Sequence, residues 1–183
     1  MRLKENQTQY VANKVAIDLA NAPFVTLSKG KEAVAKKVKE VIDANLQQER
    51  ALDAKVKEII DENYDEIEFQ HANEGQLFFM IKKKLAPEFD VIINYDDRYS
   101  DLSHTILDEL YENYLIDYDV SDIQVKNIIF KSFKTYAKAY DEIDDIVYDK
   151  IRKMKKEVIP GSYEYELLYE RLYEEELKRR GFL

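Results

Sequence analysis

The sequence predicts an all-α protein made of two similar helical halves. Of its 183 residues, 45% are apolar and 36% are charged, and there are only four Gly and three Pro to interrupt helices. Apolar residues recur at spacings of three and four, the period of helices with one buried face. The apolar positions also coincide when the chain is shifted by 91 residues, so that Leu19 falls on Leu110 and Val34 on Val125.

This shift divides the chain into a first helical repeat at 1–91 and a second at 92–183. We interpret the pattern as an internal duplication whose two copies pack together as one compact unit, with the long helices forming a bundle. The alternative interpretation is that any two long amphipathic helices can be matched in this way. Each half is predicted to contain a short helix, a long helix and a closing helix, with at most minor extended segments.

In the first half, the helices are predicted at 8–21, 31–63 and 74–86. Ser28 is the expected cap of the long helix. Asn73 and Gln76 are spaced as a capping box, and Pro87 ends the closing helix. The segment at 91–93 is apolar, which predicts a short strand or an extended, buried linker between the halves.

In the second half, the helices are predicted at 101–113, 122–156 and 163–180. Ser121 and Gln124 are spaced as a capping box at the start of the long helix. Pro160 and Gly161 predict a turn, and Ser162 predicts the cap of the last helix.

The apolar seam of the first long helix weakens midway. Asn45 and Glu49 stand where the second half has Tyr136 and Tyr140. We therefore expect a bend, a water-filled gap or a contact with a partner at this point.

Composition excludes several classes of protein. Cysteine is absent, which excludes disulfides, thiolate nucleophiles and cysteine-based metal sites and fits a reducing compartment. The N-terminal sequence is polar and lacks the apolar core of a signal peptide. No apolar run reaches the roughly 18 residues that a membrane span needs. These features predict a cytoplasmic protein with no membrane partner.

Nothing in the sequence indicates an enzyme, and we predict no catalytic residue, cofactor site or small-molecule substrate. With four glycines, the chain has none of the glycine-rich loops that cradle phosphates. His71 and His104 are the two histidines, and neither has the spacing of a metal-binding motif. We therefore predict no metal site.

An acidic stripe is formed by Asp141, Asp145 and Asp149, which are spaced i, i+4, i+8 on one helix. Such a stripe could hold a divalent cation loosely. The alternative is a solvated face whose carboxylates pair with lysines along the same helix. We favour the solvated face.

Net charge is −9, which disfavours binding to nucleic acid because an acidic chain repels phosphates. A lysine stripe at Lys131, Lys134 and Lys138 offers the contrary signal, with Phe133 and Tyr136 between its members. Since both aromatic residues fall on the apolar seam, we expect them in the core. A nucleic-acid-associated factor using lysine- and arginine-bearing helix faces is the alternative function.

Tyrosine gives the strongest functional signal, because 12 of the 14 tyrosines lie in the second half. Tyr165, Tyr169 and Tyr173 share one face of the last helix. Core packing explains part of this aromatic face, and a protein interface explains the excess. We predict a non-enzymatic interaction or structural module that binds a protein partner or a second copy of itself. Its expected surface combines these three tyrosines with the acidic stripe.

The basic cluster near the C-terminus has a structural explanation. Gly181 fits the left-handed position that follows a helix, which would let Phe182 close back on Leu177. Lys178, Arg179 and Arg180 complement the negative end of the helix dipole. We expect a terminus tied to the fold and not a free recognition tag.

Four motifs together resemble a known family: the opening MRL, Asp141–Asp144 before Val147, the turn at 159–162 and the ending at 173–181. They are similar to the bacterial family catalogued as domain of unknown function 507, and the resemblance covers essentially the whole chain. The first half departs from it, with Arg50-Ala51-Leu52-Asp53 in place of the acidic motif. The resemblance implies a helical fold and a bacterial, cytoplasmic setting, and it carries over no functional residues.

Overall fold

Helices dominate the structure, a computed structural model that describes residues 7–64, 73–154, 159–160 and 162–182. In chain order the elements are α1 (Thr8–Ala20), β1 (Val25–Leu27), α2 (Gly30–Glu62), α3 (Glu74–Leu85), a 3-10 turn (Ala86–Phe89), α4 (Tyr95–Glu112), β2 (Ile116–Tyr118), α5 (Asp122–Arg152) and α6 (Tyr163–Arg179). The predicted all-α class with minor extended segments is confirmed. None of the described helices combines the length and the apolarity needed to cross a membrane.

Two of the predicted helix starts are confirmed by their caps. Asn73 accepts a hydrogen bond from the Gln76 amide (3.0 Å), and Ser162 accepts one from the Tyr165 amide (3.2 Å). The Pro160–Gly161 turn that precedes Ser162 includes Gly161, which lies outside the described residues.

α1 begins at Thr8 and α5 at Asp122, as predicted, whereas the capping of α2 and α5 and the start of α4 differ from prediction. α2 begins after Lys29, without a side-chain cap from Ser28, and Gly30 takes a positive φ of 80° there. Ser121 is the N-cap of α5, but its side chain makes no capping hydrogen bond, so the predicted box does not form. α4 begins at Tyr95 and not at 101, because Asn94 accepts hydrogen bonds from the amides of Asp96 and Asp97 (2.9 and 3.1 Å).

The elements of the two halves follow the same order at an offset of 91 residues. Shifting α2 by this amount gives 121–153, and α5 spans Asp122–Arg152. β1 and β2 pair antiparallel, and the central pair joins Thr26 to Asp117, which lie 91 positions apart. Corresponding positions therefore meet at the centre of the ribbon, as a two-fold relation between the halves requires. An origin by duplication stays a prediction.

The main core joins both halves. α1 contributes Val11, Val15 and Leu19, which are fully buried and belong to the same cluster as Ile106 and Ile129 from the second half. α1 packs on both long helices, α2 and α5. Side chains from the two halves bury one another in this core. The hydrophobic free energy gained in the core therefore stabilises both halves together.

A second, smaller cluster lies at the far end of α2. It contains Leu52, Val56 and Ile60 of α2 together with Ala86 and Val91. In the predicted linker, Val91 is buried, Ile92 and Ile93 are half-buried, and none of the three belongs to a strand.

An ion-pair network within the chain fills the weakened seam of α2, which the sequence did not predict. Glu49 is 4% exposed, and its carboxylate lies 2.8 Å from the Lys82 ammonium of α3 and 2.7 Å from the Arg98 guanidinium of α4. Lys82 is also 2.7 Å from Asp53, and Arg98 donates to the Asn45 side chain at 2.6 Å. Lys82 thus connects α3 to α2 through two ion pairs, and Arg98 connects α4 to the same carboxylate of α2.

The C-terminus is tied down as predicted. Gly181 has a φ of 73°, the Gly181 amide donates to the Lys178 carbonyl (3.1 Å), and the Phe182 amide donates to the Leu177 carbonyl (3.0 Å). These two hydrogen bonds form a Schellman motif. The Phe182 ring is 3% exposed and packs edge-on against Tyr136, with centroids 5.7 Å apart.

Candidate interaction site

Three helices border an open cleft of about 400 Å³. Its walls are the start of α1, the middle of α5 and much of α6. The six tyrosines that line it are Tyr10, Tyr140, Tyr148, Tyr165, Tyr169 and Tyr173. Asp144, Glu166 and Glu170 supply carboxylates, and Gln7 completes the lining.

Helical periodicity places most of these side chains. Tyr140, Asp144 and Tyr148 are spaced i, i+4, i+8 on α5 and therefore share one face of that helix. Tyr165, Tyr169 and Tyr173 have the same spacing on α6. Tyr148 contacts Tyr169 and Tyr140 contacts Tyr173, so the two helices run antiparallel along the cleft.

The aromatic rings form one continuous cluster. Tyr169 stacks on Tyr173 with centroids 5.8 Å apart, and Tyr148 lies tilted against Tyr169 at the same distance. Tyr140 and Tyr10 lie tilted against Tyr173 at 5.9 and 6.2 Å. Aromatic pairs at these separations attract each other beyond simple burial, so the cluster supports its own geometry.

Several hydroxyl groups in the cluster are engaged by neighbouring side chains. The Tyr169 hydroxyl donates to the Asp144 carboxylate, and the Tyr10 hydroxyl donates to Glu174 at 3.3 Å. The hydroxyls of Tyr173 and Tyr136 lie 3.2 Å apart. Burial, reinforced by the neighbouring carboxylate, raises the pKa of Tyr169, and burial likewise raises the pKa of Tyr173. Both phenols are therefore neutral at physiological pH.

The cleft is acidic. Among the described residues that line it there is no lysine, arginine or histidine. Basic residues nearby are paired elsewhere: Lys150 with Glu176, and Arg180 with Glu142 at 2.6 Å. The charge that faces the cleft therefore comes from the carboxylates.

The first half uses the corresponding positions differently. An offset of 91 residues carries Glu49 to Tyr140, Asp53 to Asp144 and Lys82 to Tyr173. In the first half these positions form the buried ion pairs of Lys82 with its two carboxylates. In the second half the carboxylate remains at Asp144, tyrosines take the other two positions, and a cleft opens beside them.

The family described as protein of unknown function (DUF507) matches residues 1–182. The chain belongs to this family. The resemblance seen in the sequence is thereby confirmed. Among proteins with curated descriptions, none matches the chain. The family's description assigns no activity, so the role of the cleft is inferred from its chemistry.

The structure places only some of the predicted interface residues in the cleft. Tyr165, Tyr169 and Tyr173 all line the cleft, as one surface. Asp145 and Asp149 of the acidic stripe are exposed and lie outside the cleft lining, and the Asp141 side chain lies outside the part of the chain that is described. The carboxylate on α5 that does line the cleft is Asp144, which faces about 100° away from Asp145 around the helix.

Sequence reasoning missed Tyr10, Tyr140, Asp144 and Tyr148. The last three carry a signal that could have been used, since their spacing on α5 equals that of the acidic stripe. Tyr140 was assigned to the apolar seam, but it is half-buried and lines the cleft. Tyr10 is 163 positions from Tyr173, and no local pattern connects the two.

The other candidate residues do not form a site in the described part of the chain. No group of three or more histidine, aspartate or glutamate side chains there is arranged to hold a metal ion. His104 is exposed beside Lys126, and His71 lies outside the described residues. In the lysine stripe, Lys134 pairs with Asp96 at 2.6 Å, and Phe133 and Tyr136 are buried as predicted.

Proposed function

We propose that this protein is a non-enzymatic, cytoplasmic interaction module that binds a protein partner through the tyrosine-lined cleft. The observation that carries the proposal is the convergence of six tyrosines from three helices on one open cleft. Tyrosine is enriched at protein interfaces because its ring buries a large area while its hydroxyl tolerates water. Tyr148 remains 51% exposed, so ring surface is available for a partner to cover.

Affinity purification with a matched pair of variants tests this proposal. Tagged full-length protein is recovered from the cells that make it, alongside Tyr148→Ala and the control Tyr111→Ala. Tyr111 is 54% exposed and lies outside the cleft lining. We expect a stoichiometric protein partner with the wild type and the control, and its loss with Tyr148→Ala. Equal recovery with both variants would contradict the proposal, as would a lack of partner.

Light scattering on the purified protein separates the two kinds of partner. A dimeric mass that Tyr148→Ala converts to a monomer would identify a second copy as the occupant. A monomeric mass together with a recovered partner identifies a different protein.

A nucleic-acid-associated role is the alternative function, and the structure gives it less support. Phe133 and Tyr136 of the lysine stripe are buried, and the neighbouring Phe130 is half-buried, so little ring surface is available there to stack on bases. A titration with tRNA or duplex DNA tests it, because binding through phosphates weakens steeply with added salt.

A further inference from the structure

We infer that the cleft binds the ammonium group of a lysine side chain presented by the protein partner. The inference rests on the interaction function proposed above and adds the chemistry of the group that is recognised. It depends on the ring surfaces, the charges of the lining and the contrast between the two halves of the molecule.

The rings provide the first part of the site. A cation is attracted to the face of an aromatic ring within roughly 6 Å of the centroid. Tyr148 is 51% exposed and Tyr169 is half-buried, and their ring centroids lie 5.8 Å apart, so a cation in the cleft can approach both rings, while Tyr173 is buried beneath them. The chain already uses this contact internally, where the Lys14 ammonium lies 5.6 Å from the centroid of Phe182.

The carboxylates provide the second part. Asp144, Glu166 and Glu170 line the cleft without a cation among the described lining residues. Anions are repelled there, and an uncharged ligand would leave the carboxylates without an ion-pair partner. A cation satisfies both the rings and the carboxylates.

The first half shows which cation fits this arrangement. There Lys82 places its ammonium 2.8 Å from Glu49 and 2.7 Å from Asp53. The position corresponding to Asp53 is Asp144, and the position corresponding to Lys82 is Tyr173. The second half thus keeps a carboxylate and lacks the internal lysine, and a lysine from outside supplies the missing charge.

The rim favours a lysine within a protein over a free amine. Leu167, one turn before Glu170 on α6, is 50% exposed, and Tyr148 is exposed to a similar degree. Residues three apart on a helix are neighbours, so Leu167 lies beside the carboxylate rim. The backbone and flanking apolar side chains of a partner would cover this surface, whereas a small amine would leave it exposed to water.

Calorimetric titration of the full-length protein tests the inference with matched peptides. The probes are acetyl-Ala-Leu-Lys-Leu-Ala-amide and the same peptide with norleucine in place of lysine. Norleucine keeps the apolar chain and removes the ammonium. We expect the lysine peptide to bind about tenfold more tightly, a typical ratio for losing a hydrogen-bonded charge. Equal affinity of the two peptides would overturn the inference.

Variants of the cleft locate the binding. Asp144→Asn removes the charge and keeps an oxygen that can accept the hydrogen bond from the Tyr169 hydroxyl. Glu170→Gln removes a charge at the exposed rim. We expect each to weaken binding of the lysine peptide by roughly three- to tenfold. Asp145→Asn makes the same change in net charge outside the cleft and should leave affinity unchanged. If Asp145→Asn weakens binding as much as Asp144→Asn, the peptide is responding to overall charge and the inference is wrong.

Spermidine distinguishes the source of the ammonium. Binding of spermidine as tightly as the lysine peptide would identify a free amine as the ligand and overturn the protein source.

The outcomes also separate the inference from the proposed function. If neither peptide binds but Tyr148→Ala still abolishes partner recovery, the interaction module stands and the ammonium chemistry is wrong.

Discussion

At the scale of single residues, the most consequential side chain is Glu49. It lies in a seam of apolar positions and accepts hydrogen bonds from two cations that come from different helices. Burying charges is costly, and the cost is offset here by close pairing on both carboxylate oxygens. These ion pairs therefore connect the helices around the main core to the smaller cluster of α2 and α3.

Removing the charge of Glu49 should destabilise the protein strongly. Glu49→Gln leaves Arg98 buried without its carboxylate, and we expect the free energy of unfolding to fall by about 3 kcal/mol, as for other broken buried pairs. Urea denaturation followed by circular dichroism measures the change. The control Asp149→Asn removes an exposed carboxylate 3.6 Å from Lys153 and should leave the stability nearly unchanged. A similar loss in both variants would show that the network has no special role.

The stability should also depend on pH through Glu49. Burial alone would raise the pKa of this carboxyl, but the hydrogen bonds from Lys82 and Arg98 outweigh it and lower the pKa below 4.5. A lowered pKa in the folded state contributes stability above the pKa of the unfolded chain, and that contribution is lost as pH falls through the folded value. The difference in unfolding free energy between wild type and Glu49→Gln should therefore shrink when pH is lowered from 7 to below 4.5. A constant difference would contradict this explanation.

At the scale of elements, α6 connects the terminus to the cleft. Its last turn is closed by the Schellman motif at Gly181, and the face that it turns toward α5 carries three of the cleft tyrosines. Leu177 on the same helix is fully buried, and Phe182 returns the chain to the core. The position of the cleft wall thus depends on how this helix ends.

Replacing Gly181 should loosen that end. A φ of 73° is unfavourable for a residue with a Cβ, so Gly181→Ala should lower the unfolding free energy by roughly 1 kcal/mol. Thermal or urea unfolding measures the loss. Gly181→Asn is the matched variant, because asparagine tolerates the left-handed region better and should cost less than alanine. Equal stability of wild type and Gly181→Ala would indicate that the terminal motif does not contribute to the fold.

At the scale of the whole molecule, the two halves share one main core while differing in charge. Residues 1–91 carry 14 basic and 16 acidic residues, and 92–183 carry 14 and 21. The more acidic half also contains nearly all of the cleft. A negative field on that side attracts a cationic partner and should accelerate its association at low salt.

The shared core predicts that the halves unfold together. Helix content by circular dichroism and tyrosine fluorescence, which reports mainly on the second half, should give coincident denaturation curves in the wild type. In Glu49→Gln, the amides of α3 should exchange with deuterium before those of α5, because the ion pairs that connect α3 to α2 are weakened. Separate transitions for the two signals in the wild type would show that the repeats are independent domains.

The sequence by itself determined the helices, their order, the offset of 91 residues and the closure of the C-terminus. These features depend on periodicity and caps, which act between residues close in the chain. Tertiary structure alone decided that Arg98 and Lys82 meet Glu49, and that Tyr10 and Asp144 join the tyrosines of α6. A repeating pattern shows which side chains share one face of a helix. Which faces meet depends on how the helices pack, and that is set by contacts between residues far apart in the chain.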